Sequence, residues 1–427
     1  MRSLRSRRRV LLTSLGLVPL LILAACGSSS KKSTATTATT AAGAPKLDTS
    51  NPYIYLFSAD FTGSIQAFTA GEVQGLNAAV TDINAKGGIQ GRQVQLQTQN
   101  DQNDPTQAVN LLQQRLSSGK KPDAMYPGGS SAVTQAMLPI LTQNKIITTD
   151  ATSSDALNDP TKYPYHFGDS TLASQPLPAF IDAFKQKGYK KIAMIFANNA
   201  TGQSTEASFS KGIKAAGMEF TSASYADTAL DMTPQLQQLK ATNPDALIFS
   251  AFGTPGLYIL KNRAQLGWNL PTYADQLAAS FPFTKNLKPE ELTNVFVQTS
   301  AAYVAGGVAA NWPLLQHVTD LVKSQPDGPK TLQNIGVGLA GVGYNALILL
   351  KIATDQAGST DPDKVKAAFE SLKQPSPPMP WLTFGPDGQF GSYSYSPTNH
   401  FPTVQTSAFS YVPPGSYDEN GLYKPGA

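Results

Sequence analysis

Cysteine is almost absent from this chain. Cys26 is the only one in 427 residues, so no internal disulfide can form and no thiolate set can hold a metal. Histidine is nearly as scarce: His166, His317 and His400 stand far apart, without the paired spacing of zinc sites. There is no phosphate-binding P-loop and no dinucleotide fingerprint. Gly129-Ser130-Ser131 lacks the second glycine of a hydrolase elbow. Neither a cofactor, a metal nor an enzymatic reaction is expected. An excess of one charge is missing too. The formal +4 includes Arg2, Arg5, Arg7, Arg8 and Arg9, and without those five the balance is 4 − 5 = −1. Tyr163, Tyr165, Trp268 and Trp381 do not alternate with basic clusters, so no nucleic-acid partner is implied.

Long apolar runs are few. Val10 to Ala25 is one, set behind the arginines and ending in the small pair Ala24-Ala25. Residues 1–25 therefore read as an export signal, short of the roughly 20 apolar residues that a membrane span needs. Ile335 to Ala353 is broken by Gly336, Gly338, Gly341, Gly343, Asn345 and Lys351, and reads as a buried helix. Leu23-Ala24-Ala25-Cys26-Gly27 resembles the lipobox of bacterial lipoproteins. That resemblance implies cleavage before Cys26 and a diacylglycerol on its sulfur. Two acyl chains, at ~0.8 kcal/mol per buried CH₂, hold a protein on a membrane. The competing reading is an ordinary cleaved signal with Cys26 as a bystander. Ser6-Arg7-Arg8-Arg9-Val10-Leu11 loosely matches a twin-arginine signal, which leaves Sec and Tat export both open. Residues 26–50 are then a lipidated cysteine and a flexible linker, roughly 24 residues spanning about 25–30 Å.

The remaining body, about 375 residues, is too large for one core and suits two domains. Tyr53-Ile54-Tyr55-Leu56-Phe57 is a buried-strand candidate, followed at helical spacing by Val73, Leu76, Val80 and Ile83, with Gly87-Gly88 as the stop. Val94 to Gln97 alternates as a strand. Asp104-Pro105 reads as N-cap and first helical residue of a helix carrying Ala108, Leu111, Leu112 and Leu116. Ala124-Met125-Tyr126 is a strand, Ala132 to Leu141 a helix and Ile146-Ile147-Thr148 a strand. Such a βα series calls for a parallel sheet covered on both faces. It starts afresh after residue 170 with strands at Ile192 to Phe196, near Phe220 to Tyr225 and at Asp245 to Phe249. Two α/β units in tandem imply two lobes and a cleft at the carboxyl ends of their strands.

Asp82-Ile83-Asn84-Ala85-Lys86-Gly87-Gly88-Ile89-Gln90-Gly91-Arg92 resembles the helix-end turn of type I periplasmic binding proteins, and more narrowly of the leucine/isoleucine/valine-binding group that serves ABC importers. The similarity continues through Asn103 to Ala108, Gly129-Ser130-Ser131 and Ala151-Thr152, and weakly through Asp245 and 384–388. It implies an α/β fold of two Rossmann-like lobes, with parallel sheets flanked by helices and joined by a three-strand hinge. Lobe 1 would be 51–170 plus 297–375, lobe 2 would be 171–296 plus 376–412, and 413–427 a C-terminal tail.

Gly128-Gly129-Ser130-Ser131 lies between a strand and a helix. Serine hydroxyls and the free N–H groups of a helix start favour an anion such as a carboxylate. The competing role for Ser130 or Ser131 is a plain helix cap. The resemblance implies that the matching serine holds the ligand's carboxylate, and that the backbone and threonine of Asp150-Ala151-Thr152 bind its amino-acid group. In lobe 2, Thr201 stands where the family places a tyrosine, and Phe252 matches a second aromatic. The acid that pairs with the ligand's ammonium falls on Asp275 or Gln276. The implied function is an extracytoplasmic substrate-binding lipoprotein of an ABC importer, monomeric, closing its hinge on a small polar solute such as an amino acid, an amide or a related carboxylate. Its partners would be that solute, the permease subunits and, through the lipid, the membrane. A lipid-anchored sensor signalling to a membrane partner is the alternative.

Overall fold

The computed structural model describes residues 49–63, 65–128, 130–251, 254–275, 283–307, 312–372, 391–392 and 395–426. The segment read as an export signal, Cys26, the expected linker up to residue 48, Gly129, Phe252, Gln276 and the 384–388 segment lie outside the described residues.

Strand β1 (Tyr53–Ala59) is buried along nearly its whole length, the pattern of a strand inside a parallel sheet. It pairs in parallel with β2 (Val94–Asn100) and β3 (Ala124–Tyr126), Tyr55 lying opposite Leu96 on one side and Ala124 on the other. With β4 (Ile147–Asp150) and β5 (His166–Gly168) they form a five-stranded sheet in the order β2-β1-β3-β4-β5. Helix α1 (Gln66–Ala85) ends where Gly88 N–H donates to the Ile83 carbonyl at 2.9 Å. Helix α2 (Pro105–Ser117) begins at Asp104, whose carboxylate accepts from Thr106 N–H (2.7 Å) and Gln107 N–H (3.0 Å). Helix α3 (Ser131–Gln143) follows β3.

The second sheet contains β6 (Lys191–Ala197), β7 (Glu219–Tyr225), β8 (Ala246–Ser250), β9 (Thr272–Ala274) and β10 (Val295–Ser300). Its helices are α4 (Leu177–Lys187), α5 (Ala200–Ala215), α6 (Thr233–Lys240) and α7 (Pro255–Gln265). After a short ribbon of β11 (Gly391–Ser392) and β12 (Thr403–Val404), strand β13 (Phe409–Val412) joins antiparallel to β10. The order is β13-β10-β9-β8-β6-β7. The sheet extends to Ser300, past residue 296 where the resemblance puts the lobe border.

Between β10 and the ribbon the chain returns to the first sheet. Helices Pro313–Lys323, Gly328–Ile335, Gly338–Ala357 and Pro362–Phe369 place Leu315, Val318, Leu332, Leu347 and Phe369 in one core with Tyr53, Phe57 and Leu76. Lobe 1 is thus discontinuous. No single described helix is long and apolar enough to cross a membrane. The pair Gly328–Ile335 and Gly338–Ala357 passes on length and composition, but it bends by 113°, and Leu347, Leu349, Leu350 and Ala353 are fully buried in the core that α1 shares. The contact is intimate because glycines face backbone: a Cβ on Gly75 would lie 1.8 Å from the Ala340 carbonyl oxygen, and one on Gly343 would lie 2.1 Å from that of Glu72.

The chain passes between the lobes at 169–176, again after Ser300 and again at 405–408. The last stretch packs against both. Strands β14 (Gly415–Tyr417) and β15 (Tyr423–Pro425) form a hairpin, with Leu422 in the first lobe's core and Tyr423 in the second's. Val337 N–H donates to the Gly421 carbonyl and Ala305 N–H to that of Tyr423. In its described part, the expected tail is therefore structured.

Candidate functional site

The carboxyl ends of both sheets face two neighbouring cavities. The outer one, about 420 Å³, is walled by Ser130 and Ser131 of lobe 1 and by Asn199, Thr201, Tyr225, Ser250 and Tyr258 of lobe 2. The inner one, about 150 Å³, is lined by Glu72, Ala151, Ser153, Thr201, Asp275 and Tyr303, among others. Thr201 lines both, and links them.

On the lobe 1 side, Gly128 takes a positive φ of 92°, and a Cβ there would lie 2.4 Å from the Ser58 carbonyl oxygen. Only glycine fits, and the chain turns sharply from β3 into α3. Ser130 is the N-cap of α3 but makes no side-chain cap bond, which leaves its hydroxyl at the outer cleft. Ser131 is buried, and its hydroxyl oxygen accepts from the N–H groups of Ser153 and Ser154, both at 3.3 Å. It pins the 151–154 loop to the start of α3.

Asp150 organises the same loop from below. Its carboxylate accepts from the Thr152 hydroxyl (2.7 Å), Thr152 N–H (3.2 Å) and the Thr134 hydroxyl (3.3 Å). Burial pushes Asp150 up to about 7, against the lowering effect of these bonds. Thr152 is buried with its hydroxyl turned to Asp150, and neither residue lines either of these two cavities. Ala151 and Ser153 do face the inner chamber. The groups of this loop that reach a cavity are those beside Thr152.

On the lobe 2 side, Thr201 sits in the first turn of α5, where Asn199 caps the helix by accepting from Gly202 N–H at 2.9 Å. Asn199 also donates to Asp227 at 2.9 Å. Asp275 follows β9, is buried, and lines the inner chamber; its N–H donates to the Phe249 carbonyl at 3.1 Å. The lobes touch beside the cleft. Asp155 of lobe 1 accepts from the hydroxyls of Ser204 (3.0 Å) and Ser208 (3.3 Å) on α5, and its N–H donates to Ser204 (3.1 Å).

Sequence reasoning missed Glu72, Ser153 and Tyr303. Glu72 is buried, accepts from the Tyr126 hydroxyl at 3.0 Å, and is pushed by burial up to about 8. Its signal was available: an acid four residues from both Phe68 and Leu76 stands on the apolar face of α1. No described residue lining either cavity is Lys, Arg or His.

Two α/β lobes that meet across hydroxyl-lined cavities define a bilobal solute-binding protein. A family model described as periplasmic binding protein matches residues 57–396, and the chain belongs to that family, a family of extracytoplasmic binding proteins rather than enzymes. No curated protein sequence matches the chain. Among solved structures, a type 1 periplasmic binding protein of Bordetella pertussis Tohama I is similar with a TM-score of 0.72 and 20% identity, over 85% of this chain and 96% of its own. A leucine-binding protein of Thermotoga maritima gives 0.66 and 18%, over 86% and 99%. An ABC-transporter solute-binding protein of Rhodopseudomonas palustris BisB5, in complex with 3,4-dihydroxybenzoic acid, gives 0.65 and 18%, over 84% and 95%. These likenesses establish the type I periplasmic binding protein fold.

Proposed function

We propose that the protein is the lipid-anchored receptor of an ABC importer, capturing a small polar solute between its lobes and closing around it. The observation that carries this reading is that the outer cleft takes one wall from each lobe. A solute bound there bridges the halves that the hinge separates, and so favours the closed form. Ser130, Ser131 and Thr201 in the outer cleft, and Ala151 and Asp275 in the adjoining inner chamber, are the contacts we assign to the solute, with Asp150 and Thr152 holding the 151–154 loop. Phe252 and Gln276 complete the assignment from the family pattern. The start of α3 suits a carboxylate, in keeping with an amino acid, an amide or a related acid. The leucine-binding and dihydroxybenzoate-bound neighbours support that range, and the latter's ABC transporter supports the permease partner.

A thermal-shift screen against amino acids, amides and small organic acids tests the capture step. A solute at about 100 times its Kd stabilises the folded form by about 2.7 kcal/mol. No stabilisation by any class would refute it. The anchor is tested separately: Cys26→Ala should move the protein from the membrane fraction to the soluble one, and persistent retention counts against lipidation.

A further inference from the structure

The inner chamber has a character of its own. Its walls are largely apolar, with Phe68, Leu172, Phe209, Ile335, Leu339 and Val342 among them. Into these walls the fold places Glu72, which is 2% exposed. One of its carboxyl oxygens accepts from Tyr126, and the other has no hydrogen-bond partner. An unpaired buried carboxyl oxygen is expensive to keep. Helix α1 cannot turn to release it, because Gly75 and Gly343 lock α1 against the Gly338–Ala357 helix. Asp275 brings a second acid from the opposite lobe, and no described lining residue is basic. A partner for the free Glu72 oxygen has to come from what enters.

From this geometry we infer that the inner chamber receives a protonated amine on an apolar body, with Glu72 as its counter-ion. The inference rests on the solute-capture reading and narrows it. The volume of about 150 Å³ matches an engineered protein cavity that takes up benzene, so the body is about one ring in size. An ammonium has donors for several acceptors. The free Glu72 oxygen takes one, and hydroxyls such as those of Ser153 and Thr299 line the same space. Tyr126, Asp101, Asp150 and Asp169 are the titratable groups that act on Glu72. Burial keeps the empty site's carboxyl protonated near neutrality, and a cation reverses that, so binding releases a proton.

The test uses the full chain and three probes of one shape but different charge: benzylamine, benzyl alcohol and benzoate, titrated calorimetrically. Benzylamine should bind best. Titration at pH 7 in two buffers of different ionisation enthalpy should show release of about one proton. Glu72→Gln, nearly isosteric, should lower its affinity by about tenfold or more. Unchanged affinity in Glu72→Gln overturns the inference, as does benzoate or benzyl alcohol binding as tightly as benzylamine. Proton release is read on the wild type, so its absence overturns the inference even if the variant does not fold. The two readings also fail differently. If amino acids or amides bind, and weaken in Ser131→Ala, while benzylamine does not bind, the amine site falls and solute capture stands. If no solute of any class binds, both fall.

Discussion

The two lobes fill their interiors near the cleft in opposite ways. Lobe 1 buries ionisable groups at the carboxyl end of its sheet: Asp150 and Asp169 are fully buried, His166 is 1% exposed and Glu72 2%. Neither carboxyl oxygen of Asp169 has a hydrogen-bond partner. Lobe 2 buries rings. Phe180 lies 5.2 Å from Phe209 and 5.1 Å from Tyr411, and Tyr273 stacks on Phe296 at 5.2 Å. The ring packing of lobe 2 is untouched by pH. Lobe 1 carries unfavourable polar burial next to the place where a solute is to bind, and that burial responds to protons and to charge.

The sharpest way to break this contrast is to remove a ring. Phe180→Ala should cost about 3–5 kcal/mol, measured by urea denaturation, and a loss below about 1 kcal/mol would mean that packing does not hold lobe 2 together. The next test is pH. Burial raises Glu72 to about 8, Asp150 to about 7, and Asp169 as well. Each folded value lies above its unfolded one, so the folded state keeps protons that the unfolded chain releases above about pH 4, and stability falls as pH rises through that window. His166, lowered by burial from 6.5 to about 3, works in reverse and acts only below 6.5. From about pH 6.5 to 8 the acids dominate, and one proton accounts for about 2 kcal/mol over that span. The melting temperature should fall there, and Asp169→Asn should flatten the fall; a melting temperature rising with pH over this span would contradict the account. The smallest effect is local. Ser131→Ala deprives two N–H groups of their acceptor, at about 1–2 kcal/mol, and should speed amide exchange at Ser153 and Ser154. Unchanged exchange would show that Ser131 does not pin the loop.

What was legible in the sequence was local. The strand Ala124–Tyr126, the Asp104-Pro105 helix start and the Gly87-Gly88 stop all follow from neighbours in the chain. The glycine-broken apolar run from 335 to 353 largely coincides with the buried helix Gly338–Ala357. The two-lobed α/β plan followed from the repeated βα alternation, although its interleaving came from family likeness alone. What was not legible needed distant partners. Thr152 follows β4, but its hydroxyl turns to the buried Asp150 carboxylate. The inner chamber draws on α1, the 169–176 crossing, Asp275, Thr299 to Tyr303, the 335–342 bend and Tyr417. No spacing rule joins such segments. Glu72 escaped notice because Thr69, Gly71 and Gly75 dilute the apolar stripe on which it stands.

The return of the chain to its first lobe also bears on when that lobe can be finished. All five strands of the first sheet are made by Gly168, yet the helix that covers α1 arrives only with Gly338–Ala357. A nascent chain halted near residue 300 would display Leu76, Ala79 and Ile83 to water, with no late helix to cover them. Contacts between segments so far apart form slowly. That delay leaves the first lobe unfinished until most of the chain has been made.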